Sequence, residues 1–402
     1  MRSAAEGDDE FWVLTTEPGQ RLLAEVVLSP GARPADLMRW RALASMERVA
    51  AAIRIAEGRR RGAVKFSRAD RMWFERTGLE QATSEPVARH KAQRFAGRTE
   101  TVVDLCCGIG GDAIVLAAWV DVLAVDLDAT MCRRTRWNAK AYDVGDLVAT
   151  VRGRAESIQV PKGAWVHIDP DRRLKSLAQT KRLEEYQPGL DVLLRLPDMA
   201  AGGAIKVSPA SDFELHFPRE QFEVELVSLR GECKEATVWF GEARTCERRA
   251  TCLPEGESWT DRDGPKDART EVGDVQRFVF EPDPALIRSG LLDGFSAKHH
   301  LTRYAAGVDY LTGPNLVDSS FLAAFEVMVV MPLDLKRIKR EIGVLGIGLL
   351  EVKTRGVDHK PEEIREKLRS VEGVPATLLL SGGIGSARAV IARRVGRDNP
   401  VL

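Results

Sequence analysis

The chain has 402 residues, more than one hydrophobic core usually holds, so we expect two or three domains. With 44% apolar and 29% charged residues, and no apolar run near the roughly 18 residues of a membrane span, the composition excludes disordered, fibrous and membrane-spanning proteins. The 59 basic and 59 acidic residues cancel, so the net charge gives no support to non-specific nucleic-acid binding, which requires a basic surface.

The N-terminal part of the sequence predicts a helical region over residues 1–98. Its first ten residues hold an acidic cluster and no apolar stretch, so we expect no secretory signal and a cytoplasmic location. After a short opening segment at 11–15, apolar residues recur with helical spacing. Thr83 to Pro86 predicts a helix start, with capping residues and a proline in the first turn. Trp73 and Phe74 could either stack on nucleic-acid bases or form a helix seam, meaning the packed contact between helices. Their spacing favours the helix seam.

Strands and helices alternate from residue 99 to residue 254. Apolar runs predict strands at 102–105, 122–125, 148–151, 165–168, 203–207, 224–228 and 236–240. Helical patterns at 112–119, 129–142 and 190–196 separate the earlier strands. This alternation predicts an α/β fold, with a Rossmann-like, doubly wound and mostly parallel sheet.

The remaining sequence predicts two smaller parts. Residues 255–330 begin with an exposed linker to residue 274, followed by a helical stretch at 283–307 and a strand at 321–330. Residues 331–402 predict a small α/β domain with elements at 334–341, 348–354, 361–369 and 376–380. A basic cluster in the first of these helices indicates either a solvated helix face or an RNA-binding surface; its members are Lys336, Arg337, Lys339 and Arg340.

A glycine-rich turn follows the first strand of the alternating region. Gly108, Gly110 and Ala113 match the pattern G-x-G-x-x-A, and Asp126 ends the second strand, where an acid can bind ribose hydroxyls. These residues alone allow either a nicotinamide dinucleotide or S-adenosylmethionine. Asp104, four residues before Gly108, complements the ammonium and sulfonium of S-adenosylmethionine but would repel a pyrophosphate. The sequence therefore favours S-adenosylmethionine.

Further candidates stand where later strands end. Asp169 and Pro170 end the fourth strand, at the sheet edge where open α/β folds bind ligands, and we expect them to be catalytic. Arg172 and Arg173 would clamp a phosphate or carboxylate of the substrate, or pair with nearby acids. Lys206, near the end of the fifth strand, is a third candidate substrate-binding residue.

The cysteines indicate neither a disulfide framework nor a metal site. Two of the six are adjacent, and the others lack the paired spacing of a zinc site. We expect reduced thiols and no bound metal. The six are Cys106, Cys107, Cys132, Cys233, Cys246 and Cys252.

These motifs resemble known families. The D-x-x-x-G-x-G pattern, the second-strand acid and the fourth-strand D-P resemble class I S-adenosylmethionine-dependent methyltransferases. Residues 104–112, preceded by the helix start at 83–86, resemble the trimethylguanosine-synthase-like RNA methyltransferases. Residues 350–358 and 376–380 resemble the tail of bacterial THUMP-like domain methyltransferases, and residues 255–330 resemble their small ferredoxin-like lobe.

The resemblance implies S-adenosylmethionine as cofactor and RNA as partner. It implies that Asp104, Gly108 and Gly110 hold the methionine part of the cofactor and that Asp126 binds its ribose. Asp169 and Pro170 would frame the target atom in the substrate.

The sequence leaves the acceptor and some alternatives open. Relatives that methylate exocyclic amines usually follow D-P with proline and an aromatic residue, where this chain has Asp171 and Arg172. An aromatic amine needs only a hydrogen-bond acceptor, whereas a hydroxyl or thiol needs a base, for which Asp169, Asp171 and His167 are candidates; His167 lies inside a strand, which favours a packed core residue. We expect a methyltransferase acting on a base in structured RNA. The alternatives are a small-molecule or protein methyltransferase, a non-catalytic RNA-binding protein and, last, a nicotinamide oxidoreductase.

Overall fold

The computed structural model describes residues 2–29, 33–171, 182–368, 373–383 and 386–396. Its helices are α1 (Arg2–Thr15), α2 (Glu17–Leu28), α3 (Pro34–Arg41), α4 (Met46–Gly62), α5 (Arg76–Gln81), α6 (Glu85–Gln93), α7 (Ala113–Leu116), α8 (Ala129–Ala141), α9 (Leu190–Met199), α10 (Phe213–His216), α11 (Pro284–Arg288), α12 (Leu292–Lys298), α13 (Leu335–Val344) and α14 (Pro361–Lys367). Its strands are β1 (Thr101–Leu105), β2 (Asp121–Asp126), β3 (Val148–Arg152), β4 (Trp165–Ile168), β5 (Gly202–Val207), β6 (Phe222–Leu229), β7 (Glu232–Gly241), β8 (Arg248–Leu253), β9 (Glu257–Thr260), β10 (Phe278–Pro282), β11 (Thr302–Arg303), β12 (Leu311–Gly313), β13 (Leu322–Pro332), β14 (Ile347–Arg355), β15 (Val374–Gly383) and β16 (Ser386–Val395). The chain divides into two compact units, one of residues 1–223 and 235–245 and the other of residues 224–234 and 246–402.

The first unit is built on a sheet of order β3-β2-β1-β4-β5-β7. All neighbouring pairs are parallel except β5 and β7, which run antiparallel. Strands β4 and β5 are buried along their whole length, as expected for a sheet covered on both faces. Phe95 packs between Trp165 and Trp239, with ring centroids 5.5 and 5.8 Å away, and joins the helical layer to the sheet.

The N-terminal helices pack in the same unit around Trp40 and Trp73, neither of which is exposed. The Nε1 of Trp73 donates to the buried carboxylate of Glu10, 2.8 Å away. Phe74 is equally buried, between helix and sheet. These two aromatic rings therefore form a helix seam and not a platform open to bases.

The second unit contains β6, β8 and β9 and a seven-stranded sheet of order β11-β12-β10-β13-β16-β15-β14. Helices α13 and α14 cover one face of that sheet through Ile338, Ile342 and Ile364. The opposite face packs on Tyr304 and Tyr310, whose rings stack with centroids 5.7 Å apart. Strand β16 lies between β13 and β15, so the last strand of the tail is central to its sheet.

The structure confirms the predicted fold class and shows where the pattern misled. Residues 11–15 continue α1 and are not a separate segment. The predicted linker contains β9, and the predicted helix at 283–307 is two short helices followed by β11. The four-part division at residues 98, 254 and 330 stays a prediction. Within the described ranges, no helix has the length and apolar character needed to cross a membrane.

Candidate active site

The turn after β1 is shaped by backbone conformations that favour glycine. Cys106, Gly108 and Gly110 all have positive φ, at 60°, 55° and 81°. A Cβ on Gly110 would lie 2.9 Å from the Cγ2 of Thr135, too close for a side chain. The hydroxyl of Thr135 donates to the carbonyl of Gly108 at 3.0 Å. The tight turn predicted from the glycines is thus fixed by packing against α8.

Asp126, at the end of β2, is held by the backbone. Its Oδ2 accepts from the N–H of Gly108 at 2.9 Å, and its Oδ1 accepts from the N–H of Asp128 at 2.8 Å. Burial raises the pKa of Asp126, and these two backbone donors act against that rise. The carboxylate therefore has a fixed orientation beside the glycine-rich turn.

Asp104 and His167 face each other on the neighbouring parallel strands β1 and β4, as direct partners in the register. The His167 Nδ1 lies 2.6 Å from the Asp104 Oδ1, and since a carboxylate only accepts, the ring nitrogen donates. Asp104 is 1% exposed and its burial raises its pKa. Its second oxygen, Oδ2, is buried without a hydrogen bond from the residues that the structure describes.

A buried ionic cluster lies next to this pair. The Nζ of Lys91 on α6 lies 3.0 Å from Asp112 and 2.8 Å from Glu235 on β7. Thr83 donates to Asp112 at 2.8 Å, and the Nε2 of His167 lies 3.9 Å from the same carboxylate. Burial alone would raise the pKa of Asp112 and lower that of Lys91, but their mutual attraction outweighs it, so Asp112 is shifted down and Lys91 up.

Replacing Lys91 with methionine should lower the free energy of unfolding by about 3–5 kcal/mol, because two buried carboxylates lose their cation. The pKa values of Asp112 and Glu235 are lowered in the folded protein, so their stabilisation is present at neutral pH and is lost on acidification. Urea unfolding should therefore show a mutational loss that shrinks below a pH of about 4. Lys140→Met, on an exposed site of α8, is the control and should change stability by no more than about 0.5 kcal/mol.

Asp169 follows β4 and is paired with Lys206 on β5. The Lys206 Nζ donates to Asp169 Oδ2 at 2.7 Å and to the carbonyl of Gln81 at 3.1 Å. Lys206 is 6% exposed, so its ammonium is buried against these partners. Asp171 accepts from the Gln81 side chain at 3.2 Å and pairs through its backbone with Gln187.

A cleft of about 1020 Å³ lies beside these groups in the first unit. Asp104, Gly108, Asp126, Asp169 and Pro170 all line it, whereas Gly110 belongs to the turn without lining the cleft. The structure thus brings five of the predicted site residues to one cavity, at the carboxyl ends of parallel strands. Arg172 and Arg173 lie outside the described residues.

Some cleft and support residues are not evident from the sequence. Tyr186 lines the cleft and its hydroxyl accepts from the N–H of Ser208 at 3.1 Å. Glu156 lines the cleft near the end of β3, and Gln187 lines it beside Asp171. No spacing rule marks these positions, because they reach the cleft through loops. The cysteines are free thiols, and no group of three or more potential ligands within the described residues could hold a metal ion.

Comparisons with known proteins agree with this geometry. A family model described as RNA cap guanine-N2 methyltransferase matches residues 99–195, and one described as THUMP domain-like matches residues 322–394. The chain is 33% identical over 329 residues to an "uncharacterized S-adenosylmethionine-dependent methyltransferase" of Mycobacterium tuberculosis. That match covers 79% of this chain and 87% of the relative.

A solved structure from Porphyromonas gingivalis W83, assigned as a methyltransferase, shares the whole fold. It superposes with a TM-score of 0.70 at 17% identity, covering 98% of both chains. At this identity the likeness concerns the fold alone. It extends through both units of the chain.

Proposed function

Because this chain belongs to the S-adenosylmethionine-dependent methyltransferases, we propose that it methylates a base in structured RNA. The observation that carries this proposal is the position of Asp169, which lines the same cleft as Asp104 while Lys206 holds one of its oxygens. The two family matches, an RNA methyltransferase in the first unit and a THUMP-like domain in the second, support RNA as the substrate class. Such a substrate fits the cytoplasmic location expected from the sequence.

Two observations support S-adenosylmethionine as the ligand of this cleft. The Oδ2 of Asp104 is a buried acceptor without a partner among the described residues, suited to an ammonium group. A side chain at Gly108 would meet no atom within 4 Å in the described structure, so the backbone there is open to a ligand. Asp104 and the turn at Gly108 would hold the methionine part, and Asp126 the ribose. When bound, the cofactor would supply a methyl group on a cationic sulfur, and the neutral thioether is the leaving group of an in-line transfer.

Asp169 and Pro170 act on the acceptor. The Oδ2 of Asp169 is committed to Lys206, so Oδ1 accepts an N–H of an aromatic amine and the Pro170 carbonyl accepts a second one. This orients the nitrogen lone pair toward the methyl group, and alignment of this kind is worth roughly 7–11 kcal/mol in favourable cases. The acceptor nitrogen loses a proton when it gains the methyl group, and that proton passes to Oδ1 of Asp169.

The second candidate function is methylation of a small molecule or protein, which the zero net charge favours. The two are separated by incubating the protein with labelled S-adenosylmethionine and an extract of a strain that lacks the gene. Label in the RNA fraction supports the proposal, whereas label only in the small-molecule or protein fraction supports the alternative.

Removing the basic cluster of α13 should weaken RNA binding without reducing cofactor affinity. Lys336, Arg337, Lys339 and Arg340 are exposed, while Ile338 and Ile342 anchor the helix. If all four contact phosphates, their replacement by alanine lowers the salt slope of RNA affinity by about 3–4, since each contact contributes roughly 0.7–0.9. Filter binding of total RNA at several salt concentrations measures the slope.

Substitution is a cleaner test than truncation, because β13 pairs with β16 and deletion of the tail would expose that strand. The matched control is alanine at Glu362, Glu363 and Glu366 on α14, which should leave the slope unchanged or strengthen binding. An unchanged slope in the α13 variant would show that this helix is a solvated face and not an RNA surface.

A further inference from the structure

We infer that His167 is a positioning residue for the cofactor: it orients the Asp104 carboxylate so that Oδ2 meets the cofactor's ammonium. The inference rests on the proposed placement of S-adenosylmethionine at Asp104, but not on RNA being the substrate. It assigns to His167 a task in binding, although its place inside a buried strand predicts only packing.

The contact is determined by the sheet. Asp104 and His167 are opposite each other in the parallel pair of β1 and β4, so their side chains project to the same side. The 2.6 Å contact from Nδ1 to Oδ1 uses one oxygen of the carboxylate and leaves the other. His167 is fully buried, and Asp104 is 1% exposed, so this contact is enclosed by protein.

The second carboxylate oxygen of Asp104, Oδ2, is the atom that lacks a hydrogen-bond donor within the described structure. Asp104 lines the cleft, yet its Oδ2 has no hydrogen bond from the described residues. A buried carboxylate oxygen without a partner is costly, and an ammonium donor removes that cost. As long as the His167 imidazole binds Oδ1, the carboxylate of Asp104 has one orientation, and Oδ2 points in one direction.

Among the described residues, the other charged groups in this region do not donate a hydrogen bond to Asp104. Asp112 lies 3.9 Å from Nε2 but is bound by Lys91 and Thr83. Glu235 shares the same lysine, and Lys206 is committed to Asp169. The imidazole is therefore the donor that the described residues provide to Asp104.

The test compares two substitutions and two ligands by isothermal titration of the full chain. His167→Leu keeps the volume and removes the donor, whereas His167→Asn keeps an N–H near the position of Nδ1. S-adenosylmethionine carries the ammonium, and 5′-methylthioadenosine lacks the amino-acid part altogether. Thermal unfolding of each variant is recorded in parallel.

We expect His167→Leu to lose about 10- to 30-fold in affinity for S-adenosylmethionine and to bind 5′-methylthioadenosine within about twofold of the wild type. His167→Asn should retain S-adenosylmethionine affinity within about threefold, even if its thermal stability is lower. Affinity for S-adenosylmethionine would then follow the presence of the N–H donor at residue 167 and not the volume of its side chain.

Equal losses for both ligands in His167→Leu, or full S-adenosylmethionine affinity in that variant, would overturn the inference. If His167→Leu does not fold, a loss of S-adenosylmethionine affinity in His167→Asn that 5′-methylthioadenosine shares equally overturns it as well. Asp104→Asn is titrated alongside. Unchanged binding there contradicts the cofactor placement itself, which separates that failure from a failure of the role given to His167.

Discussion

Replacing Asp104 with asparagine should reduce the affinity for S-adenosylmethionine by about 100-fold while the protein remains folded. Losing one partner of a buried charged hydrogen bond costs roughly 2–5 kcal/mol, and about 1.4 kcal/mol is a factor of ten. The asparagine oxygen still accepts from His167, so the strand pair keeps its contact. Isothermal titration gives the affinity, and urea unfolding confirms the fold.

The same substitution should change the free energy of unfolding by no more than about 1 kcal/mol, because two effects offset each other. Burial raises the pKa of Asp104, so its charge costs stability as the pH rises through that value, and asparagine removes this cost. The new amide N–H, however, is buried without a partner. Asp121→Asn, at the exposed start of β2, is the control and should leave both measurements unchanged.

Cofactor affinity of the wild type should also fall on acidification. The raised pKa means that Asp104 takes up a proton at a higher pH than an exposed aspartate does, and a neutral carboxyl no longer attracts the ammonium. Asp104→Asn should lack this part of the pH dependence. An equally steep pH dependence in both proteins would mean that Asp104 is not the group that binds the cation.

Replacing Asp169 with asparagine should abolish most of the turnover while leaving cofactor affinity within about threefold. Alignment of the acceptor is worth roughly 7–11 kcal/mol in favourable cases, and losing about 3–4 kcal/mol of it would lower kcat by about 100- to 1000-fold. The asparagine can still accept from Lys206, but its amide turns a donor toward the acceptor's N–H. Transfer of labelled methyl groups to RNA from a strain that lacks the gene measures the turnover.

Asp171→Asn is the matched control, because Asp171 lines the same cleft two residues later and also accepts from a neighbouring side chain. We expect it to lose no more than about fivefold in kcat, since Gln81 can bind an asparagine oxygen equally well. A larger loss from Asp171→Asn than from Asp169→Asn would move the proton-accepting role to Asp171.

Local patterns were sufficient to predict the fold of the first unit. Its strands are short apolar runs bounded by turns, and their alternation with helices specifies a parallel sheet. Strand β16 in the second unit, by contrast, was not predicted. In β16, Ala389 and Ile391 pack on one face and Val390 and Ala392 on the other, so a strand buried on both faces has no alternation to reveal it.

The cleft residues at the ends of strands could also be predicted from the sequence, because parallel strands place their carboxyl ends at one edge of the sheet. Their supporting residues were not. Lys91 and Glu235 are 144 positions apart and meet only through the tertiary fold. In the sequence, His167 lies within an apolar strand, as a packed core residue would. Its contact with Asp104 is revealed only by the register of β1 with β4.

Mass spectrometry of the nucleosides in RNA from a strain that lacks the gene tests directly whether this protein methylates RNA. We predict that one methylated nucleoside is missing there, and that it returns on complementation with the wild type but not with Asp169→Asn. An unchanged set of methylated nucleosides in the deletion strain would contradict RNA methylation as the function of this protein.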